Sequence, residues 1–186
     1  MLEEVFQDVR GHMQKSIESL RRDFASIRTG RATTAMLDGI RIDYYGTATP
    51  LNQLANLSVP EPRLLTVKPY EQHLVPEIEK AIRSDASLGL NPSNDGTLIH
   101  IPIPELTEER RIEITKIARH RAEESKVAVR HARRDGIDFL QQAQMESEVT
   151  EDELHHGQDE IQKITDAFVE QVDQVLKSKE EEIMEV

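Results

Sequence analysis

Two sets of side chains in this sequence have types and spacings that could do chemistry. The first is basic. On a helix, residues 119, 126, 130 and 133 are turned by about 100° per position and fall within about 60° of one another. Arg119, Lys126, Arg130 and Arg133 therefore line one face, with Lys116 and Arg134 at its border. The stretch from 116 to 134 holds seven basic and two acidic side chains. At the helical rise the stripe spans about 21 Å. Guanidinium groups at that pitch reach successive phosphates of a nucleic acid, each with bidentate geometry available. Arg21, Arg22, Arg28 and Arg31 make a smaller second group. The second set is Glu153-Leu154-His155-His156, whose Glu-x-x-His spacing puts two metal ligands on one helical face. Carboxylate-bridged di-iron bundles need two such pairs and two further glutamates. Only one pair is present, so a solvated capping turn accounts for it better than a metal does.

Other chemistry is missing its residues. The eight glycines are scattered and make no phosphate-binding loop. No Gly-x-Ser-x-Gly nucleophile elbow occurs. The absence of Cys removes thiol catalysis, disulfides and zinc fingers together. The histidines at 12, 73, 100, 120 and 131 have no metal-ligand spacing. The expectation is a protein that is not an enzyme and uses no cofactor and no metal.

A net charge of −12 would ordinarily count against a nucleic-acid partner. Its distribution changes that, because residues 146–186 carry fourteen acidic and only three basic side chains. The acidity says little about the basic face. It does offer a plainer reading, in which the arginines pair with an acidic neighbouring helix; exposed pairs of that kind contribute only ~0–1 kcal/mol. The residues alone leave both readings open. Aromatics are nearly absent from the stripe, which disfavours stacking on single-stranded bases. An RNA target would be gripped by backbone and shape. The alternative of another class is a helical protein–protein adaptor without RNA binding.

These side chains need long helices to position them. All eight prolines lie between Pro50 and Pro104, so proline-free flanks surround a proline-rich middle. In the first flank Leu2, Phe6, Val9, Met13, Ile17, Leu20, Phe24 and Ile27 make one helical stripe, with Gly30 as the stop. In the second, Thr107 is an N-cap ahead of Glu108 and Glu109. Ile114, Ile117, Ala118, Ala122, Ser125, Val129, Ala132, Gly136, Leu140 and Ala143 follow as a small-residue stripe. Thr150 to Glu153 has capping-box spacing and opens a third helix, whose stripe is Leu154, Ile161, Ile164, Phe168, Val172 and Val175. Lys179 to Glu182 is an acidic tail that should fray. One apolar face per helix predicts an antiparallel three-helix bundle. The middle reads as strands at Ile40–Tyr45, Arg63–Lys68 and Thr97–Pro102, plus a short helix opened by Pro76 with Ile78, Ala81 and Ile82 inward.

The fold class is thus α+β: an elongated three-helix bundle (1–30 and 105–186) with a small inserted α/β domain of mostly antiparallel strands (31–104). Two chain crossings, at Gly30, Arg31, Ala32, Thr33 and Thr34 and at Ile103, Pro104 and Glu105, would act as a hinge. No run of about 18 apolar residues is present, so no membrane-spanning helix is expected. The start, Met1-Leu2-Glu3-Glu4-Val5, lacks the basic segment of a secretory signal, which points to the cytoplasm.

Specific motifs then stand in order along the chain. They are Ile27-Arg28-Thr29-Gly30-Arg31-Ala32, Asp38-Gly39, Tyr44-Tyr45-Gly46-Thr47, Thr49-Pro50-Leu51 and Gln53-Leu54-Ala55. Ile78-Glu79-Lys80-Ala81-Ile82, Leu88-Gly89-Leu90-Asn91-Pro92, Leu106-Thr107-Glu108-Glu109-Arg110-Arg111, Val127-Ala128-Val129-Arg130 and Arg133-Arg134-Asp135 follow. Together they strongly resemble the ribosome-recycling factor family of bacteria over essentially the whole chain. The resemblance implies a monomer that binds the post-termination ribosome, with its bundle on large-subunit rRNA. It also implies subunit separation with elongation factor G and GTP, and no role for DNA or membrane. By resemblance, Arg133 is the bundle arginine most tied to rRNA and Arg130 its neighbour. Arg28 and Arg31 fall in the Arg-Thr-Gly-Arg hinge motif, and Arg119, Lys126, Arg110 and Arg134 complete the rRNA-binding set. The small domain is similar to the part that faces elongation factor G. Three features depart from the expected pattern: His131 inside the arginine motif, Gly136 in mid-helix, and the proline-rich Val59-Pro60-Glu61-Pro62.

Overall fold

The computed structural model of the protein describes residues 1–86 and 88–185. In chain order the elements are helix α1 (Leu2–Ala25), a 3₁₀ turn (Thr34–Leu37), strands β1 (Arg41–Tyr44) and β2 (Thr47–Pro50), and a one-turn helix α2 (Leu51–Leu54). Strands β3 (Ala55–Glu61) and β4 (Leu64–Pro69), a second 3₁₀ turn (Gln72–Leu74), helix α3 (Val75–Ser84), and strands β5 (Ser93–Asn94) and β6 (Ile99–Pro102) follow. The long helices α4 (Glu108–Met145) and α5 (Glu151–Met184) complete the chain. It divides into two compact units, Met1–Arg28 with Thr107–Glu185, and Thr29–Leu106.

The first unit is α1, α4 and α5, the proline-free flanks. Their apolar stripes meet in one core of Val5, Val9, Met13, Ile17, Leu20, Ala118, Ala122, Val129, Leu140, Ile161 and Val172, among others. Consecutive helices are antiparallel: Val9 of α1 meets Gly136 of α4, whereas Asp23 at the other end of α1 pairs with Arg121. The caps read from sequence are present. Thr107 Oγ1 accepts from Arg110 N at 3.1 Å. Thr150 Oγ1 accepts from Glu153 N at 3.1 Å while Glu153 Oε2 accepts from Thr150 N at 2.7 Å. The Thr150 N–H donated to Glu153 Oε2 is the main cause that holds the Glu153 carboxyl below its ordinary range, with the Thr150 side chain adding to it.

Gly136 has a packing reason. A Cβ there would lie 2.5 Å from Val9 Cγ2 and 3.3 Å from Ile161 Cδ1, so the glycine lets three helices close on one another. Gly157 of α5 does the same, with its notional Cβ 2.5 Å from Leu140 Cδ1.

Three readings of this unit need correction. The first helix ends at Ala25, not at Gly30. Ser26 Oγ donates to Asp23 O at 2.6 Å and Ile27 N to Phe24 O at 3.1 Å, which tightens the last turn and ends it. Ile27 still packs against the core, so the apolar period runs on after the helix has stopped. Ile117 is 40% exposed, because the buried stripe passes through Ile114 and Ala118 on either side of it. The acidic tail stays helical to Met184, with Lys179 and Ile183 buried. Lys179 and Ile183, four apart, extend the buried stripe, and Glu180 to Glu182 take the remaining faces.

The second unit is a four-stranded antiparallel sheet in the order β3-β4-β6-β5, with β1 and β2 as a separate hairpin. Its core is distinct: Leu37, Ile42, Leu51, Leu65, Val67, Ile78, Ile82, Ile99 and Ile101. Pro76 opens α3, and Ile78 and Ile82 are fully buried, as read. The β1–β2 turn is Tyr45-Gly46, with φ of 51° and 85°; glycine suits the second position, and Gly46 N is held by Asp43 Oδ1 at 2.9 Å. The proline-rich Val59-Pro60-Glu61 is not a connection but the end of β3. It is tolerated because β3 is an edge strand and its register shifts between Ser58 and Glu61.

Candidate nucleic-acid interface

The capped start of α4 and its small-residue seam set the rotation of the helix. Burying Ala118, Ala122, Ser125 and Val129 turns the basic stripe outward along the α5 side. The four stripe residues do not share one fate. Arg119 Nε donates to Glu180 Oε1 at 2.7 Å. Lys126 Nζ lies 2.6 Å from Asp173 Oδ1 and 3.6 Å from Glu123 Oε1, with its side chain only 17% exposed. Its hydrogen bond to Asp173 raises the ammonium above its ordinary value against the opposing effect of burial. For these two the plainer reading holds: they tie α4 to the acidic α5.

Arg130 and Arg133 are different. Arg130 is exposed and has no ion pair among the described residues. Arg133 is half-buried and meets no carboxylate among the described residues; its Nη1 donates to the amide oxygen of Gln162 at 2.8 Å. Its Nε is buried with no partner. Arg134 is exposed beside them, as is Lys116 a few turns earlier. An open positive surface therefore exists, concentrated at 130–134 rather than spread over the whole stripe. Arg110 pairs with Glu113 at 2.7 Å within the first turns of α4. Arg28 and Arg31 are exposed next to Thr29 and Gly30, which are buried, and Gly30 has φ 81°.

The crossing residues are partly anchored. Ala32 and Ile103 are buried in the small unit's core. Ala32 N donates to Pro62 O and Ile103 N to Arg63 O, each at 2.8 Å. Thr33 is extended and Thr34 opens the first 3₁₀ turn. Glu105 pairs with Arg63 at 2.7 Å.

Sequence reasoning offered the acidic helix as a pairing partner but not which residues of it pair. On α5, Asp173 and Glu180 are seven apart, opposite Lys126 and Arg119, which are also seven apart. The next pair in that antiparallel register is Arg133 with Asp166. There Gln162 intervenes: its Nε2 donates to Asp166 Oδ1 at 2.8 Å and its oxygen accepts from Arg133. The matched heptad spacing was available as a signal; the inserted amide was not. Glu153 is committed to its cap, and no group of three metal-binding side chains occurs among the described residues. No helix of the described residues is long and apolar enough to cross a membrane.

A model of the family "Ribosome recycling factor" matches residues 20–184. The chain is 52% identical over 183 residues to the ribosome-recycling factor of Natranaerobius thermophilus, covering 98% of each. It is 50% identical over 186 residues to that of Chloroflexus aurantiacus, covering both fully. A solution structure of a ribosome recycling factor matches with a TM-score of 0.75 at 36% identity, over 100% of this chain and 98% of that one. A Thermus thermophilus ribosome recycling factor, described with Escherichia coli elongation factor G on the E. coli post-termination complex, matches with a TM-score of 0.65 at 46% identity, over 99% of each chain.

Proposed function

The chain belongs to the ribosome-recycling factor family, and on that premise we propose that Arg130, Arg133 and Arg134 are its grip on large-subunit rRNA. It is a translation factor and not an enzyme, and it acts with elongation factor G on the post-termination ribosome. Arg130 carries the reading: it is exposed on a helix bordered by fourteen acids of the C-terminal segment and yet unpaired with any of them. A guanidinium left uncommitted in such surroundings is available to phosphate. Arg119 and Lys126 contribute chiefly by holding α4 on α5, so the functional set is narrower than the stripe. Arg28, Arg31 and Arg110 join it as secondary contacts.

The chain has no chemistry of its own. The bundle supplies stiffness through a continuous apolar core, and the small unit faces the GTP-driven partner. Freedom between the units resides at Gly30 and Pro104 in the two crossings, since Ala32 and Ile103 are held in the small unit's core and Glu105 is paired. We place the factor in the cytoplasm as a monomer, where ribosomes are.

Binding governed by phosphate neutralisation falls steeply with salt. Co-sedimentation with large ribosomal subunits at two salt concentrations tests this. Arg133→Ala and Arg130→Ala should each weaken binding about tenfold, the scale of one lost charge-assisted bond, with helical circular dichroism unchanged. A salt-insensitive association that survives both substitutions would instead identify a protein adaptor.

A further inference from the structure

Three rungs of opposite charge are laid out along the α4–α5 seam, and one of them is not closed. Arg119 meets Glu180 and Lys126 meets Asp173, each within 2.7 Å. Stepping seven residues further on both helices brings Arg133 and Asp166 to the same register. Closed, this rung would consume the guanidinium in an ion pair like the other two. Instead Gln162, one turn before Asp166, stands between them. It occupies Asp166 Oδ1 with its amide nitrogen at 2.8 Å and offers Arg133 only its neutral oxygen, at 2.8 Å. The Arg133 Nε is left buried and unpartnered, and Asp166 has no ion pair among the described residues.

We propose that Gln162 is a positioning residue that insulates Arg133 from Asp166 and so keeps the guanidinium available to an rRNA phosphate. The inference rests on the rRNA-binding role given to Arg133 above. Its physical basis is the difference between two acceptors. A carboxylate holds a guanidinium by a charge-assisted, often bidentate pair, about twice as strong as a bond to a neutral oxygen. A phosphate must outbid whatever acceptor is in place. Against an amide oxygen it gains charge pairing outright, and against a carboxylate it gains little. The buried Nε adds to the effect, because an unpartnered donor makes the resting arrangement less favourable than a fully paired one. Gln162 and Asp166 are both exposed, so exchanging them perturbs charge and not the core.

The test uses the full chain and purified large ribosomal subunits, with binding followed by co-sedimentation over a salt series. Variants are Gln162→Glu, Gln162→Ala, Asp166→Asn and the double Gln162→Ala/Asp166→Asn. Circular dichroism melts check folding. Gln162→Glu pairs with Arg133 directly, and Gln162→Ala lets it fall onto Asp166. Each should weaken binding about five- to tenfold and flatten the log–log salt dependence by about one, as expected when one phosphate contact is lost. Asp166→Asn alone should bind at least as well as the parent, and the double variant should return to within about twofold of it. A purely structural glutamine would not be rescued by neutralising Asp166. The nitrogen-15 signal of the Arg133 Nε–H gives a second readout, and it should move in Gln162→Ala and shift back toward the parent in the double variant. Parent-like binding by Gln162→Glu, or failure of the double variant to recover, overturns the proposal while Arg133→Ala remains defective. Normal binding by Arg133→Ala overturns the rRNA reading itself.

Discussion

At the scale of single residues, equal charges on one helix face have unequal roles, and their partners decide which. Arg119 and Lys126 are closed onto Glu180 and Asp173; Arg130 and Arg133 are not. Lys126→Ala should therefore leave ribosome binding within about twofold while lowering thermal stability, since it removes a half-buried pair across the α4–α5 seam. Co-sedimentation and a melting curve on the same preparation separate it from Arg130→Ala, which should show the reverse. A Lys126→Ala protein that melts normally but fails to bind would return Lys126 to the rRNA face. In the small unit, Tyr44 donates to Glu71 Oε1 at 2.7 Å, and this bond raises the phenol above its ordinary value. It packs edge-on against Tyr45 with centroids 4.6 Å apart, so the hairpin turn is braced by an aromatic pair.

At the scale of elements, the bundle depends on two glycines and two caps. Gly136 faces Val9, whose branched side chain has little rotamer freedom, and also Ile161. Gly136→Ala gains helix propensity of about 1 kcal/mol but forces overpacking that costs about 1–3 kcal/mol. Net destabilisation is the expected outcome in chemical unfolding. Gly157→Ala meets the end of the longer and more adaptable Leu140, and should be closer to neutral. The reverse order would show that the three-helix contact at Gly136 is not the tight one. The cap of α5 makes a prediction in pH. The Glu153 carboxylate is depressed in the folded state by its bonds to Thr150. Its stabilisation is thus complete above the ordinary glutamate value and disappears as pH falls through the depressed folded value. Replacing Thr150 by Ala should cost about 1 kcal/mol at neutral pH, whereas Glu153→Gln should remove the pH-linked part, so that its gap from the parent melt narrows as pH falls below the ordinary glutamate value.

At the scale of the whole molecule, two cores are joined by two crossings, and the role proposed for the chain is mechanical. If freedom at Gly30 is needed after binding, Gly30→Pro should leave binding to large subunits intact and abolish splitting of ribosomes by elongation factor G with GTP. Proline removes the φ of 81° that Gly30 adopts, so the test acts on the crossing itself. Light scattering reads the splitting; normal rates would remove the hinge from the mechanism. The charge layout fits the same division of labour. Acids of α5 take up Arg119 and Lys126 and leave the open positive surface concentrated at 130–134, which favours one orientation on rRNA over diffuse attraction.

Much of this was legible along the chain. Apolar spacing, proline placement and capping residues are local, and they determined three long helices, a short one opened by Pro76, and a strand-rich middle. The motifs from Arg28 to Arg134 determined the family. The tertiary structure alone decided where periodicity and helix part company, as at Ile27, and why the C-terminal acids stay helical, since Ile183 has a core to enter. It also decided which cations remain open. Charge on one helix can be counted from its sequence, but pairing depends on the rotation and register of the neighbouring helix, and those are set by packing at Gly136, Gly157 and Val129.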